Sequence, residues 1–414
     1  MKNNRIIPFI WFLVLGFSQL QAQQIQDYLQ IASENNPEVQ AAYTRFEAAL
    51  QKAPQVSSLP DPTLTMSAFG RMIETRLGAQ EARFSLMQMF PWFGTNNLRK
   101  GSAELMAEAR FQDFLASRES LFVKVKEVYA EIYRIEKSIG IMEEDLEILD
   151  SYRKLALNRF EAGSAPMVNV VKVDIDREEL ITRIALMKDE LETRKIQFNY
   201  LLNRNESAMV EVQDSLRLEN EISGISNFEE HPSVQSLDYE KQAFKKEIEI
   251  SKKEGLPMLG LGLDYSIISE RTDANPANNG QDAIMPMFSV SLPIFRKKYK
   301  AAREEARLMA QATEQEKKAM INELSSEAEM LNYELKKARQ LMDLYDRQIT
   351  SSNQANKLLI SGFSNANADF EEVLQMNQDL LMLKIQKIET LANGYKAAAK
   401  LDYLHFKNNT DANE

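Results

Sequence analysis

SLMQMFPWFG (residues 85–94) and SVSLPIF (residues 289–295) are two versions of one pattern, an alternating run halted by a proline among apolar and aromatic residues. Around the second version, Leu259, Leu261, Leu263, Tyr265 and Ile267 alternate with Gly260, Gly262, Asp264 and Ser266, and Phe288, Val290, Leu292 and Ile294 alternate with Ser289, Ser291 and Pro293. A period of two with one apolar and one small or polar face is a half-buried strand. The polar stretch 270–282 between them is a long loop. Around the first version, Leu64, Met66 and Ala68 share one face of a strand, and Phe84, Leu86 and Phe90 share a face of the next, interrupted by Gln88.

The repetition extends outward. Leu121, Val125, Val128, Ile132, Ile135, Ile139, Met142, Leu146 and Leu149 alternate spacings of four and three, the 3.5-residue period of a coiled-coil seam. Leu324, Ala328, Leu331, Leu335, Ala338, Met342, Tyr345 and Ile349 continue in the same manner, 203 positions later. Phe160 to Gly163 followed by Val170 maps onto Phe363 to Ala366 followed by Val373, and ENNPEVQ (34–40) resembles EEHPSVQ (229–235). This internal duplication sets the fold.

The boundaries follow. Lys2 and Arg5 ahead of an apolar run from Ile6 to Phe17, with Leu20 and Ala22 at a small-residue cleavage spacing, read as a secretory signal peptide over 1–22. Residues 23–203 form the first repeat, with a hairpin at about 62–91 and a long helix pair turning near 160–167. Residues 204–230 link it to the second, 231–406, with a hairpin at about 258–295 and a turn near 363–370; 407–414 is a tail. Only 14 glycines and 12 prolines punctuate the 414 residues, so long helices are expected. A helix from about 95 to 160 spans about 100 Å, far more than a globular core needs.

No later stretch has the roughly 18 uninterrupted apolar residues of a transmembrane helix. There is no cysteine for a disulfide or lipid anchor. The net charge of −11 becomes −13 without Lys2 and Arg5, and an acidic chain without a basic tract disfavours nucleic acid. Each hairpin has strands of about ten residues, enough to cross a bilayer when tilted. Four strands cannot close a barrel and lipid does not tolerate an open edge, so membrane-embedded hairpins require several chains to share one barrel. Trp92, Phe93 and Phe295 beside the prolines suit a membrane interface.

With these features together, the chain resembles the TolC family of outer-membrane efflux ducts over nearly all of its length after residue 22. The Asn36-Pro37 start, the duplicated hairpins, the long helix pairs and the turn pattern Phe160, Gly163, Val170 carry the resemblance, while LPDPTL (59–64) and QMFPWFGTNNLRK (88–100) look like the branch that works with heavy-metal efflux pumps. The resemblance implies a mainly α fold with a small membrane β-barrel portion: a homotrimer with a 12-stranded barrel in outer-membrane lipid and an α-barrel tunnel in the periplasm. The duct is passive, served by an inner-membrane pump and a periplasmic adaptor, and needs no cofactor. Phe160, Gly163, Ser164, Val170, Phe363, Ala366 and Val373 correspond to turns that meet the adaptor. Glu372, beside Val373, corresponds to an acidic gate position, with Asp369 and Glu371 nearby. Gln375 stands where some relatives carry a second acid, Asn169 where an Asp is common, Ala366 where the turn Gly is usual, and Ala368 where some carry an arginine. A ring of carboxylates selects cations in a pore; read without the family, the same three acids favour a helix N-terminus through its dipole.

Enzyme chemistry has little support. His231 and His405 lack a neighbouring nucleophile or metal ligand in sequence, His231 reads as a surface loop residue, and no GxSxG, Walker or HExxH motif occurs. Met66, Met72, Met87, Met89, Met258, Met285 and Met287 lie on or beside the strands, where soft thioethers suit Cu(I) but packing is the commoner use of methionine. Glu143, Glu144 and Asp145 read as a solvated face. An exported coiled-coil stalk explains the seams without the hairpins, and a periplasmic adaptor lacks the duplication.

Overall fold

The structure, a computed structural model, describes residues 23–213, 215–218, 227–365 and 367–406. The expected signal peptide, Ala366 and the 407–414 tail lie outside the described residues. Helices α1 (Gln23–Asn35), α2 (Pro37–Leu50) and α3 (Lys52–Ser57) lead into strands β1 (Thr63–Thr75) and β2 (Gly78–Phe90). Helices α4 (Thr95–Glu161) and α5 (Val168–Leu201) follow. After a short 3-10 turn at Phe228–Glu230 come α6 (Pro232–Glu254), β3 (Met258–Ile268), β4 (Ala283–Ser291), α7 (Lys297–Ser364) and α8 (Phe370–Leu404). The duplication is visible in the lengths: α4 and α7 have 67 and 68 residues, α5 and α8 have 34 and 35. Among the described residues no helix is long and apolar enough to cross a membrane.

The chain divides into two compact units, to which α4 and α7 each contribute a part. The first contains residues up to 41, 115–231 and everything from 321. Its core is the predicted seam: Leu121, Val125, Val128, Ile132, Ile135, Ile139, Met142 and Leu149 are buried, as are Leu324, Ala328, Leu331, Leu335 and Ala338. Met342, Tyr345 and Ile349 are only half-buried. The segment after α5 packs against the helices: Gln213 N–H donates to the Tyr129 hydroxyl at 2.8 Å and Glu211 N–H to that of Tyr28 at 3.1 Å. His231 is not a surface residue. It is 2% exposed and meets the Tyr403 ring edge-on at 4.9 Å, immediately ahead of Pro232, which opens α6.

The second unit contains residues 42–114 and 232–320. Its helical part is stitched by aromatic contacts among Tyr43, Phe46, Phe111 and Phe114 and by Lys241 and Lys317, which both donate to Asp238 at 2.7 and 3.0 Å. Its sheet is antiparallel in the order β1-β2-β3-β4. The apolar runs that alternation predicts on separate strands fall on one sheet face: Leu64, Leu86, Leu263 and Pro286 form one row, Met66, Phe84, Tyr265 and Ile284 the next. Thus the mainly α architecture with a small strand portion, legible in the sequence, is the observed one.

Candidate functional site

Two regions carry chemistry, the sheet and the helix turns. On the sheet's second face, the register aligns Met89, Gly260 and Ser289 in one row, then Thr63, Met87, Gly262 and Met287, then Thr65, Ser85, Asp264 and Met285. This face mixes small and polar residues with four methionines, where the first is Leu, Phe, Tyr and Ile. On the interior strand β3 Leu261 and Leu263 are exposed whereas Gly260 and Asp264 are buried, so there the apolar face is the open one. Asp264 is ion-paired with Arg83 on this inner face. Open apolar outside and polar inside is the pattern of a strand between lipid and an aqueous lumen. Beyond the strands Phe93 and Phe295 are 74% and 81% exposed, while Trp92 is half-buried and meets Phe93 at 6.0 Å.

At the turns, α4 ends in a Schellman motif: Gly163 takes φ +68°, its N–H returns to the Phe160 carbonyl at 2.9 Å, and Ser164 N–H to that of Arg159 at 2.9 Å. At the end of α7, Asn367 N–H donates to the Gly362 carbonyl at 2.8 Å. Asp369 caps α8 by accepting from Glu371 N–H at 3.2 Å, which leaves Glu371 and Glu372 in the first turn where the helix dipole favours them. Asn169 sits inside α5, half-buried, and caps nothing: the cap position of α5 is Met167.

The structure separates the predicted turn residues into two groups. Phe160, Gly163, Ser164, Asp369, Glu371 and Glu372 are exposed. Val170, Phe363 and Val373 are buried in the core beneath the turns with Phe370, whose ring lies 4.8 Å from that of Phe363. These three therefore hold the helix ends together and present no side chain to a partner in this protomer. Ala366 is outside the described residues.

Several polar links tie the first helix pair to the second, none of them legible from the heptad pattern. Arg159 Nη1 donates to the carbonyls of Phe363 and Ser364 at 2.5 and 3.0 Å, and its guanidinium covers the Phe363 ring at 5.0 Å. It thereby satisfies carbonyls that the end of α7 leaves orphaned. Lys172 pairs with Glu371. Asn356 Nδ2 donates to the Tyr152 hydroxyl at 3.0 Å, and Asn377 Nδ2 to Asp145 Oδ1 at 3.0 Å. Asp145 is 7% exposed and Asn377 1%, which corrects the reading of Glu143 to Asp145 as a wholly solvated run; Glu143 does face outward, paired with Lys188 at 2.7 Å. A cleft of about 510 Å³ opens beside Asp145, Asp176 and Asn377. Burial pushes both aspartates above the usual carboxylate range, against the opposing hydrogen bonds from Asn377 and Gln378. Among the described residues no group of three or more His, Cys, Asp or Glu could hold a metal ion.

Known proteins supply the comparison. Residues 28–202, the first copy, match the family model described as outer membrane efflux protein. A search of curated proteins finds no match. Among solved structures, the outer membrane protein VceC of Vibrio cholerae aligns at 14% identity with a TM-score of 0.76, covering 92% of this chain and 96% of that one. CusC aligns at 16% identity and 0.78, covering 92% of each chain. The open state of the MtrE outer membrane channel of Neisseria gonorrhoeae aligns at 15% and 0.74, covering 92% and 88%. Residues 28–202 thus carry the sequence pattern of the outer membrane efflux proteins, and the fold of solved outer membrane channels extends along both copies.

Proposed function

We propose that the protein is the outer-membrane exit duct of a tripartite efflux system, passing small molecules or metal cations outward without chemistry of its own. The observation that carries this reading is the two-faced sheet with unpaired outer edges on β1 and β4. Exposed ladder groups at both edges cannot face lipid, because each unsatisfied group there costs several kcal/mol. Joining β4 of one copy to β1 of the next removes every edge, and three copies, the number the family resemblance implies, give twelve strands. The apolar stripe Met330, Leu344 and Leu358 on α7, exposed in one protomer at heptad multiples, supports lateral association of the helices.

In this assembly the turns at 160–167 and 363–370 form the periplasmic end. Glu372, with no ion pair or hydrogen bond among the described residues, supplies the gate carboxylate, seconded by Asp369 and Glu371, with Asn169 on the facing helix. Exposed Phe160, Gly163 and Ser164 offer the adaptor-contact surface. Opening is a population shift driven by contacts that adaptor and pump make with the open arrangement alone. The test is a crosslinked pull-down from the native envelope with partners identified by mass spectrometry. An adaptor and an inner-membrane pump are the expected companions, and the chain resists carbonate extraction. Recovery without either partner, in a carbonate-soluble form, sinks the duct reading in favour of an exported stalk.

A further inference from the structure

The inner face of the sheet gathers soft donors at one place. Ser289 Oγ lies 3.6 Å from Met89 Sδ and 3.7 Å from Met87 Sδ, so one hydroxyl sits against two thioethers that come from a different hairpin. They come this close to the strand because residues 260 and 262 are glycines. A Cβ on Gly260 would stand 2.2 Å from Ser289 Oγ, 2.6 Å from Met89 Sδ and 3.1 Å from Met87 Sδ, and one on Gly262 would stand 3.1 Å from Met87 Sδ. The two sulfurs and the hydroxyl therefore close over the bare backbone at Gly260, where any side chain would push the three donors apart. Met287 occupies the neighbouring register position, opposite Gly262.

Ordinary packing does not account for this placement. Long apolar side chains have an available home on the other face, with Leu64, Leu86, Leu263 and Phe288, and Met66 is found there. Met87 and Met89 instead share the small, polar face with Thr63, Thr65, Ser85 and Asp264.

We propose that Met87, Met89 and Ser289, gathered over Gly260, form a binding site for a soft monovalent cation of the Cu(I) or Ag(I) type. The donor set decides the class. Thioethers are soft ligands that select Cu(I), whereas Mg²⁺ and Ca²⁺ demand oxygen shells. The three donors carry no charge, which suits a monovalent ion and leaves a divalent one uncompensated. None of them titrates in the physiological range, so binding is insensitive to pH, unlike a thiolate or imidazole site whose ligands compete with protons. Two thioethers and a hydroxyl bind weakly enough to release, as an ion on a conduction path requires. That the site lines an exit path rests on the duct reading; the coordination itself does not.

The test is Ag(I) titration of the full-length protein in detergent, followed by the methyl resonances of ¹³C-labelled methionine and by calorimetry. Saturable binding at about one ion per chain is expected, with the Met87 and Met89 methyls moving and that of Met66 still. M87L/M89L, which preserves volume, and G260A, whose Cβ pushes the donors apart, should each weaken binding at least tenfold, while M66L leaves it unchanged. Binding of equal strength in M87L/M89L, or movement of other methyls in the unaltered protein, overturns the site; the latter needs no variant and so is immune to misfolding. Conductance of the same preparations in planar bilayers separates the two readings. A preparation that conducts and binds no Ag(I) overturns the site alone, and one that binds Ag(I) but never conducts supports the site and overturns the duct.

Discussion

His231 is a neutral imidazole held in a dry place. Burial lowers its pKa from the ordinary 6.5 to about 4, with a hydrogen bond to the Tyr403 backbone opposing the shift. The unfolded chain therefore takes up a proton that the folded chain refuses as pH falls from 6.5 to 4. Stability from this residue is fully present above 6.5 and lost across that window, by about 3 kcal/mol at most given roughly 1.4 kcal/mol per pKa unit. Thermal melts of the protein should fall between pH 6.5 and 4, and H231N should flatten that slope; an unchanged slope removes His231 from the account. Carboxylates elsewhere in the same unit have their own signs. Burial acts against Glu131, yet Lys396 and Arg134 hold it below its usual range, so its contribution is lost at more acid pH. None of this was legible in the sequence. His231 stands before a proline in a polar stretch, and only the return of Tyr403, 172 positions later, buries it. Asp145 was misread for the same reason, since its partner Asn377 lies in the other repeat.

At the level of elements, polar side chains join the paired helices, and Arg159 is the one that reaches across at the turns to backbone. It serves two carbonyls of α7 and an aromatic face at once. Replacing it with alanine should cost about 1–2 kcal/mol locally, the scale of hydrogen bonds from a partly solvated charge, and should raise the leak conductance of purified protein in planar bilayers. E372A should instead change cation selectivity or leak without reducing trimer yield, because Glu372 is exposed and supports no contact among the described residues. Unaltered conductance in both variants would dissociate the turns from gating. The helices themselves were readable from period and composition: positions at 3.5-residue spacing from Leu121 to Leu149 became the core almost without exception. The links between pairs were not, because a polar residue off the seam gives no sign of which distant helix it will meet. The second seam weakens after Ala338, where Met342, Tyr345 and Ile349 remain half-buried in the protomer.

For the whole molecule, the absence of cysteine is an experimental convenience with a sharp use. A cysteine at Leu64 on β1, combined in turn with one at Ile284, Phe288 or Val290 on the same face of β4, samples the edge-to-edge registers of adjoining copies. Oxidation in the membrane should give a ladder of linked species that ends at three protomers. A ladder that stops at two, or runs past three, contradicts the proposed barrel. That two hairpins exist was plain from their alternating residues; that all four strands join in one sheet with β2 beside β3 was not, since pairing across 181 positions, as in Arg83 with Asp264, leaves no local mark.

The near-equal lengths of α4 and α7 place a condition on how such a chain can change over time. Both helices begin a few residues after a strand, at Phe90 and Ser291, and both end at turns fastened by Arg159 and by Tyr152 with Asn356. Losing one residue from α4 would turn everything beyond it by about 100° and scatter the seam. Losing seven would restore the phase to within about 20° but draw one turn back by about 10 Å, parting Tyr152 from Asn356. Only matched losses or gains, in whole heptads and in both copies, preserve the seam and the fastening together. Relatives of different reach should therefore differ by paired insertions, and the two halves of the gene are bound to lengthen and shorten in step.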